Sequence, residues 1–255
     1  MWSLGMRYIA GSQPDQLLPQ GSLWSRVQTT RVGSGYTGTQ DWSGWKQFPN
    51  LPTGWTFFSD CTSCELPDGG TQLWVIGKSL TVPFTNAVWT CVRKMAPGNL
   101  ADPLSGWGAW SELSFKDSIN NGQVHAIRAV ADGKGRAYLW FSRFLDDPPP
   151  PYDAQSVFWY YTYTAPGPSP TAVWNAPVLF PFPVSRDPAV PPEGYNNSLI
   201  TLGVLPNGGL QLFLISTEKQ LVYPIYTTWQ EPPQPPSKWF SGGPLPGGWT
   251  DFSVP

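Results

Sequence analysis

Charged side chains are scarce in this sequence, and no region concentrates charge of one sign. Only 13% of the 255 residues are Asp, Glu, Lys or Arg, and the formal net charge is −2. Because Lys and Arg are scattered, the chain lacks the basic surface that binds nucleic acid or an anionic membrane. No apolar stretch approaches the roughly 20 residues that cross a bilayer. We therefore predict neither a nucleic acid nor a membrane as partner.

Residues that bind metals or form disulfides are also few. Three cysteines are too few for a disulfide scaffold. Cys61 and Cys64 form a lone C-x-x-C pair, with Cys91 about 27 residues further on, and a zinc site would need a fourth ligand, for which His125 is the only histidine. We predict packed or surface thiols, no metal site and no cofactor. A disulfide from Cys91 to either Cys61 or Cys64 is the alternative.

Signatures of common catalytic sites and of export are missing as well. The sequence has no G-x-S-x-G elbow, no H-E-x-x-H helix, no phosphate loop and no dinucleotide fingerprint. Met1–Ala10 lacks the charged start and apolar middle of a signal peptide. This fits a cytoplasmic protein or one whose leader has been removed, and both the location and the oligomeric state stay open.

Residues that favour strands and turns are abundant. The chain contains 30 prolines and 26 glycines, which break helices, and 15 tryptophans, 13 phenylalanines and 10 tyrosines, which suit half-buried strands. No segment shows a sustained 3.6-residue apolar period with helix caps. The composition predicts an all-β protein.

A repeat of about 64 residues runs through the whole chain. Four segments end in a tryptophan, and these tryptophans are 65, 64 and 65 residues apart: Trp45, Trp110, Trp174 and Trp239. Counting from the last one around the chain end to the first gives 61 residues. Four periods thus use the full length, which is typical of a closed array. We predict a single domain, residues 1–255, folded as a four-bladed β-propeller with four-stranded blades; two packed sheets are the alternative.

Each repeat contains short aromatic or β-branched runs bounded by turn residues. Inner strands are predicted at about 56–64, 124–131 and 198–205, each followed by an Asp-Gly or Asn-Gly turn. A second series of strands is predicted at 7–11, 72–77, 138–142 and 211–216, and a third at 23–27, 88–92, 158–161 and 222–226.

The first repeat lacks an inner strand at its start, and the missing strand reappears at the chain end. Leu51–Phe58 matches Leu245–Phe252 in its Leu-Pro, Gly-Trp-Thr and Phe positions. We therefore predict that the C-terminal strand is the inner strand of the first blade and closes the ring, which removes free sheet edges. The predicted blades are about 1–50 plus 249–255, 54–115, 122–180 and 196–245.

The recurring aromatic residues divide into two groups. Trp45, Trp110, Trp174 and Trp239 occupy corresponding places in all four repeats, as packing between blades requires. Trp42 and Trp107 occur in only two repeats, so these two are better candidates than the other four for exposure and ligand binding.

Residues that do not recur from repeat to repeat lie where the inner strands begin, at one mouth of the predicted central channel. Its predicted ligand-binding residues are Trp55, Phe57, Gln123, Arg128, Asn197 and Trp249. His125 and Asp251 lie on opposing strands there. A histidine near a carboxylate can act as an acid or base near neutral pH, so these two are the catalytic candidates if the protein is an enzyme.

The blade pattern resembles that of the propeller lectins, the fucose-binding fungal type and its bacterial relatives. The resemblance lies in Gln72–Gly77, Ala87–Trp89 and Trp107–Leu113, with Trp42–Trp45 in the first repeat. It implies a propeller that binds sugars. Those lectins repeat their polar sugar ligands from blade to blade, whereas here the arginines do not recur in register and Glu112 has no counterpart.

Two functions follow as hypotheses. The first is a carbohydrate-binding propeller that stacks sugar C–H faces on exposed tryptophans. The second is a cofactor-independent enzyme, of the cyclase, pericyclase or isomerase type, that holds a hydrophobic small molecule in an aromatic central funnel. Exposed Trp and polar pairs between blades would favour the first, and one deep funnel containing His125 and Asp251 the second.

Overall fold

A computed structural model describes residues 2–10, 17–27, 42–66, 69–81, 85–94, 102–113, 124–131, 136–144, 157–164, 174–179, 200–204, 210–215, 225–230 and 239–244. Within these ranges every regular element is a β-strand and no helix occurs, so the all-β prediction is confirmed. It follows that no described segment is a helix long and apolar enough to cross a membrane.

The strands form four separate antiparallel sheets, and neighbours within each sheet are also neighbours in sequence. Sheet 1 contains β1 (Trp2–Ala10), β2 (Leu17–Ser25) and β3 (Lys46–Gln47). Sheet 2 contains β4 (Trp55–Glu65), β5 (Thr71–Ser79), β6 (Asn86–Arg93) and β7 (Ser111–Glu112). Sheet 3 contains β8 (Val124–Ala131), β9 (Ala137–Phe144), β10 (Val157–Tyr163) and β11 (Val178–Leu179). Sheet 4 contains β12 (Ile200–Val204), β13 (Leu210–Ile215), β14 (Ile225–Gln230) and β15 (Trp239–Pro244).

The predicted inner strands coincide with the first strands of sheets 2, 3 and 4, namely β4, β8 and β12. The turn predicted after β4 is present, because Gly69 has a positive φ of 77° and its N–H donates to the Leu66 carbonyl at 2.9 Å. A positive φ is the reason that the position takes glycine. The corresponding turns after β8 and β12 lie outside the described residues.

Some predicted strands differ from the observed ones in their bounds. The strands predicted at 7–11 and 23–27 correspond to β1 and β2, which begin and end earlier. The strand predicted at 222–226 overlaps β14, which runs from Ile225 to Gln230, while residues 222–224 lie outside the described residues. The β-branched Thr227 and Thr228 and the aromatic Trp229 extend the strand beyond the predicted end, as their β-propensity allows. The register of β14 against β15 shifts between Thr227 and Thr228.

The predicted closing strand, residues 249–255, lies outside the described residues. Among the residues that the structure describes, sheet 1 has three strands and no sheet closes on itself.

The chain divides into two compact units, one of Met1–Ser114 with His125–Ile127 and one of Phe115–Val124 with Arg128–Pro255. In the first unit, sheets 1 and 2 pack on a shared apolar core that includes Leu23, Phe48, Phe57 and Val75. The sheets approach closely at Gly21, whose N–H donates to Thr56 Oγ1 at 3.0 Å.

The second unit is centred on β9, whose residues Ala137–Arg143 are all buried. Tyr138 stacks on Trp140 and on Tyr163, with both pairs of ring centroids 5.6 Å apart. The hydroxyl of Thr164 accepts a hydrogen bond from the Ala137 N–H at 3.1 Å, which satisfies a buried donor at the start of the strand.

Candidate functional site

A cleft of about 760 Å³ opens in the first unit between sheets 1 and 2. We call it the Trp24 cleft. Residues of β2 and β3, of the β3–β4 connection and of the start of β4 line it, together with one residue after β5: Gly21, Ser22, Trp24, Gln47, Asn50, Leu51, Pro52, Thr53, Trp55, Thr56, Phe57 and Leu80. This volume is within the range of about 300–1,000 Å³ that is typical of small-molecule sites.

Trp24 provides an accessible aromatic surface in this cleft. Its neighbours Leu23 and Ser25 are buried, whereas Trp24 retains 37% of its surface exposed, as the alternation of side chains along a strand dictates. Trp24 pairs directly with Gln47 across β2 and β3, so the two side chains share one face. Gln47 Nε2 also lies 3.5 Å from the hydroxyl of Ser22.

Trp55 provides a second aromatic surface, and a buried partner holds it. The rings of Trp55 and Trp89 meet edge to face, with centroids 5.3 Å apart and an interplanar angle of 65°. Trp89 in turn lies against Gly77, where a Cβ would come within 2.7 Å of Trp89 Cδ1. Because Trp55 is packed in this way, its ring is ordered before any ligand binds.

Polar groups in the cleft are amides and hydroxyls. The amide side chains of Gln47 and Asn50 and the hydroxyl-bearing Thr53 are exposed. Amides both donate and accept hydrogen bonds, as a ligand with many hydroxyl groups requires. Among the described residues that line the cleft, none is Asp, Glu, Lys, Arg or His. These residues can therefore bind a neutral polar ligand but supply no acid or base.

Two of the residues predicted for the channel mouth, Trp55 and Phe57, line this cleft. Phe57 retains only 1% of its surface, because its ring packs edge to face on Trp110 with centroids 5.8 Å apart. Phe57 therefore shapes the wall but offers little area to a ligand. Four other predicted site residues lie outside the described residues: Gln123, Asn197, Trp249 and Asp251.

His125 belongs to the same unit but does not line the cleft. It is half-buried on β8, and its backbone carbonyl accepts a hydrogen bond from Ser59 Oγ at 3.1 Å. Burial lowers the pKa of His125 below its ordinary value, so the imidazole is neutral at pH 7. Arg128, three residues further along β8, is half-buried and belongs to the second unit.

Trp42 and Trp45 enclose a cation on the surface of the first unit. The Arg26 guanidinium lies 4.8 Å from the ring centroid of each tryptophan, within cation–π range. Trp45 retains 42% of its surface, in contrast to the expected packing role of the recurring tryptophans. Its counterpart Trp110 is half-buried, and its Nε1 donates to the Pro49 carbonyl at 3.2 Å.

Trp107 and Trp42 are both half-buried. The ring of Trp107 meets that of Phe48 edge to face, with centroids 5.2 Å apart. Its Nε1 donates to the Pro103 carbonyl at 3.0 Å. Trp107 therefore belongs to the packing of the first unit.

All three cysteines are free, so the alternative of a disulfide at Cys91 is wrong. Cys61 and Cys64 lie on β4 and Cys91 on β6, and β5 runs between them. Two strand spacings amount to about 9.5 Å, beyond the roughly 7 Å between Cα atoms that a disulfide spans. Among the described residues, no group of three or more His, Cys, Asp or Glu is placed to hold a metal ion.

Trp24, Gln47 and Asn50 line the cleft but are not among the site residues that the sequence predicts. Trp24 lies on a predicted strand, but Leu23 and Trp24 are adjacent apolar residues, so the alternation along a strand does not tell which of the two faces the core. No local pattern identifies Gln47 or Asn50 either, since their position depends on how two sheets meet.

No protein-family model matches the chain, and no characterised protein matches its sequence.

Proposed function

We propose that this protein is a lectin-like, carbohydrate-binding β-propeller whose sugar site is the Trp24 cleft. The four sheets would be the blades, with residues 249–255 as the inner strand that closes the ring. Support for the ring comes from the 64–65-residue spacing of the recurring tryptophans and from the sheets, each made of strands that follow one another in sequence.

The observation that carries the binding proposal is the exposed indole of Trp24 beside the amide of Gln47, in a cleft between two sheets. A pyranose ring has a C–H face that suits an indole plane and a rim of hydroxyl groups that suits amides. Aromatic side chains with a polar neighbour provide both contacts at once.

The absence of charge among the described lining residues supports the same ligand class. A cleft that contains Trp24, Trp55 and exposed amides gains from apolar contact and from neutral hydrogen bonds. The enzyme alternative requires His125 together with Asp251. Asp251 lies outside the described residues and His125 does not line the cleft, so the binding function alone is proposed.

A glycan array followed by calorimetric titration of the bound glycan tests this function. Trp24→Ala is expected to weaken binding about tenfold or more, which corresponds to at least about 1.4 kcal/mol. Trp45→Ala is the matched control, because Trp45 directly precedes β3 in the same unit, is similarly exposed and does not line the cleft. It is expected to leave the affinity unchanged.

Three results would contradict the proposal: no glycan bound on the array, equal loss in both variants, or full affinity in Trp24→Ala. Circular dichroism and melting of each variant establish that the fold persists, so that a loss of affinity reports on the site.

A further inference from the structure

We infer that the Trp24 cleft selects an uncharged oligosaccharide of two or more units over a single sugar. This inference rests on the proposed function and adds the length and charge of the ligand. Three features of the cleft carry it: its size, its two separate indole surfaces and the chemistry of its lining.

The size of the cleft exceeds what one sugar fills. Its volume of about 760 Å³ lies in the upper part of the range for sites that enclose drug-sized molecules. A single pyranose is much smaller than such a molecule, so it would leave most of the cleft in contact with water. A chain of two or more units would fill it and displace that water.

The two indoles lie on different sheets. Trp24 is on β2 of sheet 1 and Trp55 begins β4 of sheet 2, and both line the same cleft. Each indole provides a surface for one sugar ring: Trp24 is exposed and is paired with Gln47 across β2 and β3, and Trp55 packs edge to face on Trp89. A ligand with linked sugar rings can contact both indoles at once. Binding of one sugar ring then raises the effective concentration of the next sugar ring at the other indole.

The lining favours many weak contacts over one strong contact. Charge-assisted hydrogen bonds are roughly twice as strong as neutral ones, so a site without them gains less from each contact with a single sugar ring. Among the described lining residues no group carries a charge. Affinity must therefore accumulate over several units, each held by an indole face and neutral hydrogen bonds.

The same lining discriminates against acidic sugars. A carboxylate or sulfate that enters the cleft loses hydration and meets no lining cation among the described residues. Lys46, the cation next to Gln47 in sequence, is engaged with Asp102 through a 3.1 Å salt bridge. Uronic acid oligomers are therefore expected to bind much more weakly than neutral oligomers of the same length.

Calorimetric titration with series of increasing length tests the inference. The probes are glucose to cellotetraose, mannose to β-1,4-mannotetraose and N-acetylglucosamine to chitotetraose, with trigalacturonate as the charged probe. In at least one neutral series the affinity is expected to rise about tenfold or more from the monosaccharide to the trisaccharide. Trp24→Ala is expected to remove this gain, and Trp45→Ala to retain it.

The outcomes separate the inference from the proposed function. A monosaccharide that binds as tightly as its trisaccharide, or trigalacturonate that binds as tightly as a neutral trisaccharide, overturns the inference and leaves the sugar-binding function intact. If no member of any series binds and the glycan array is also negative, both are overturned.

Discussion

At the residue scale, burial determines the chemistry of two cysteines in sheet 2. Burial raises the pKa of the Cys64 thiol to about 12 and also raises the pKa of the Cys91 thiol. The thiolate is the reactive form of cysteine, so neither side chain is expected to react readily with alkylating reagents near neutral pH while the protein is folded.

The pKa of Cys64 predicts how stability responds to alkaline pH. The unfolded chain releases this proton near the ordinary pKa of 9.0 and the folded chain only near about 12. The contribution of the protonated Cys64 thiol to the free energy of unfolding is thus fully present below pH 9.0. It is lost as the pH rises toward about 12, by up to about 1.4 kcal/mol per pH unit. Urea denaturation at about pH 8 and about pH 10.5 measures the loss.

Cys64→Ala provides the control for that measurement. It is expected to lose less stability than the parent protein over the same interval, by about 1–2 kcal/mol. Equal losses in the two proteins would show that Cys64 does not titrate differently on folding.

The tryptophans show what repetition in the sequence cannot predict. Trp45 and Trp110 have the same place in the repeat, but Trp110 packs against Phe48 with centroids 5.4 Å apart while Trp45 lies beside Arg26 and stays exposed. The repeat identifies equivalent positions within a sheet. It does not identify which side chain of another element covers each position.

At the scale of elements, the contact between sheets 1 and 2 depends on Gly21 of β2. A Cβ at this position would overlap the backbone carbonyl of Phe57, which cannot move as a flexible side chain could. The same glycine donates its N–H to Thr56 Oγ1. The close approach of the two sheets, and hence the shape of the Trp24 cleft, requires a residue without a side chain here.

Gly21→Ala is therefore expected to destabilise the protein by about 1–3 kcal/mol, the usual cost of forcing extra atoms into a packed site. Gly44→Ala is the matched control, because a Cβ at Gly44 meets nothing within 4 Å. Thermal denaturation of both variants checks the difference. Similar melting temperatures would indicate that the sheets separate there without cost.

Most strands could be predicted from the sequence, but the cleft could not. The inner strands β4, β8 and β12 were found because short aromatic and β-branched runs alternate with Asp-Gly and Asn-Gly turns, and both signals are local. The Trp24 cleft combines Gln47 from one sheet with Trp55 from another. That combination depends on long-range packing, which no local pattern encodes.

At the scale of the whole molecule, the proposed ring makes a prediction about the chain end. Deleting Gly248–Pro255 would remove the proposed inner strand of the first blade, leave one edge of that blade unpaired and open the ring. We expect the melting temperature to fall by about 10 °C or more, the equivalent of several kcal/mol in a chain of this size.

A full-length chain with a short Gly-Ser extension at its C-terminus is the control, since it alters the terminus but keeps the proposed strand. It is expected to melt like the parent protein. If the deleted chain also melts like the parent, residues 248–255 do not complete a blade and the proposed ring closure is wrong.

The central claim is that sugars bind in the Trp24 cleft, and fluorine NMR of the protein labelled with 5-fluorotryptophan tests it most directly. Single Trp→Phe variants assign the resonances of Trp24, Trp55 and Trp45. Titration with the tightest-binding oligosaccharide is predicted to shift the Trp24 and Trp55 resonances and to leave Trp45 unchanged. Saturation with that ligand without a shift at Trp24, or with the main shifts at Trp42 and Trp45, would contradict the account.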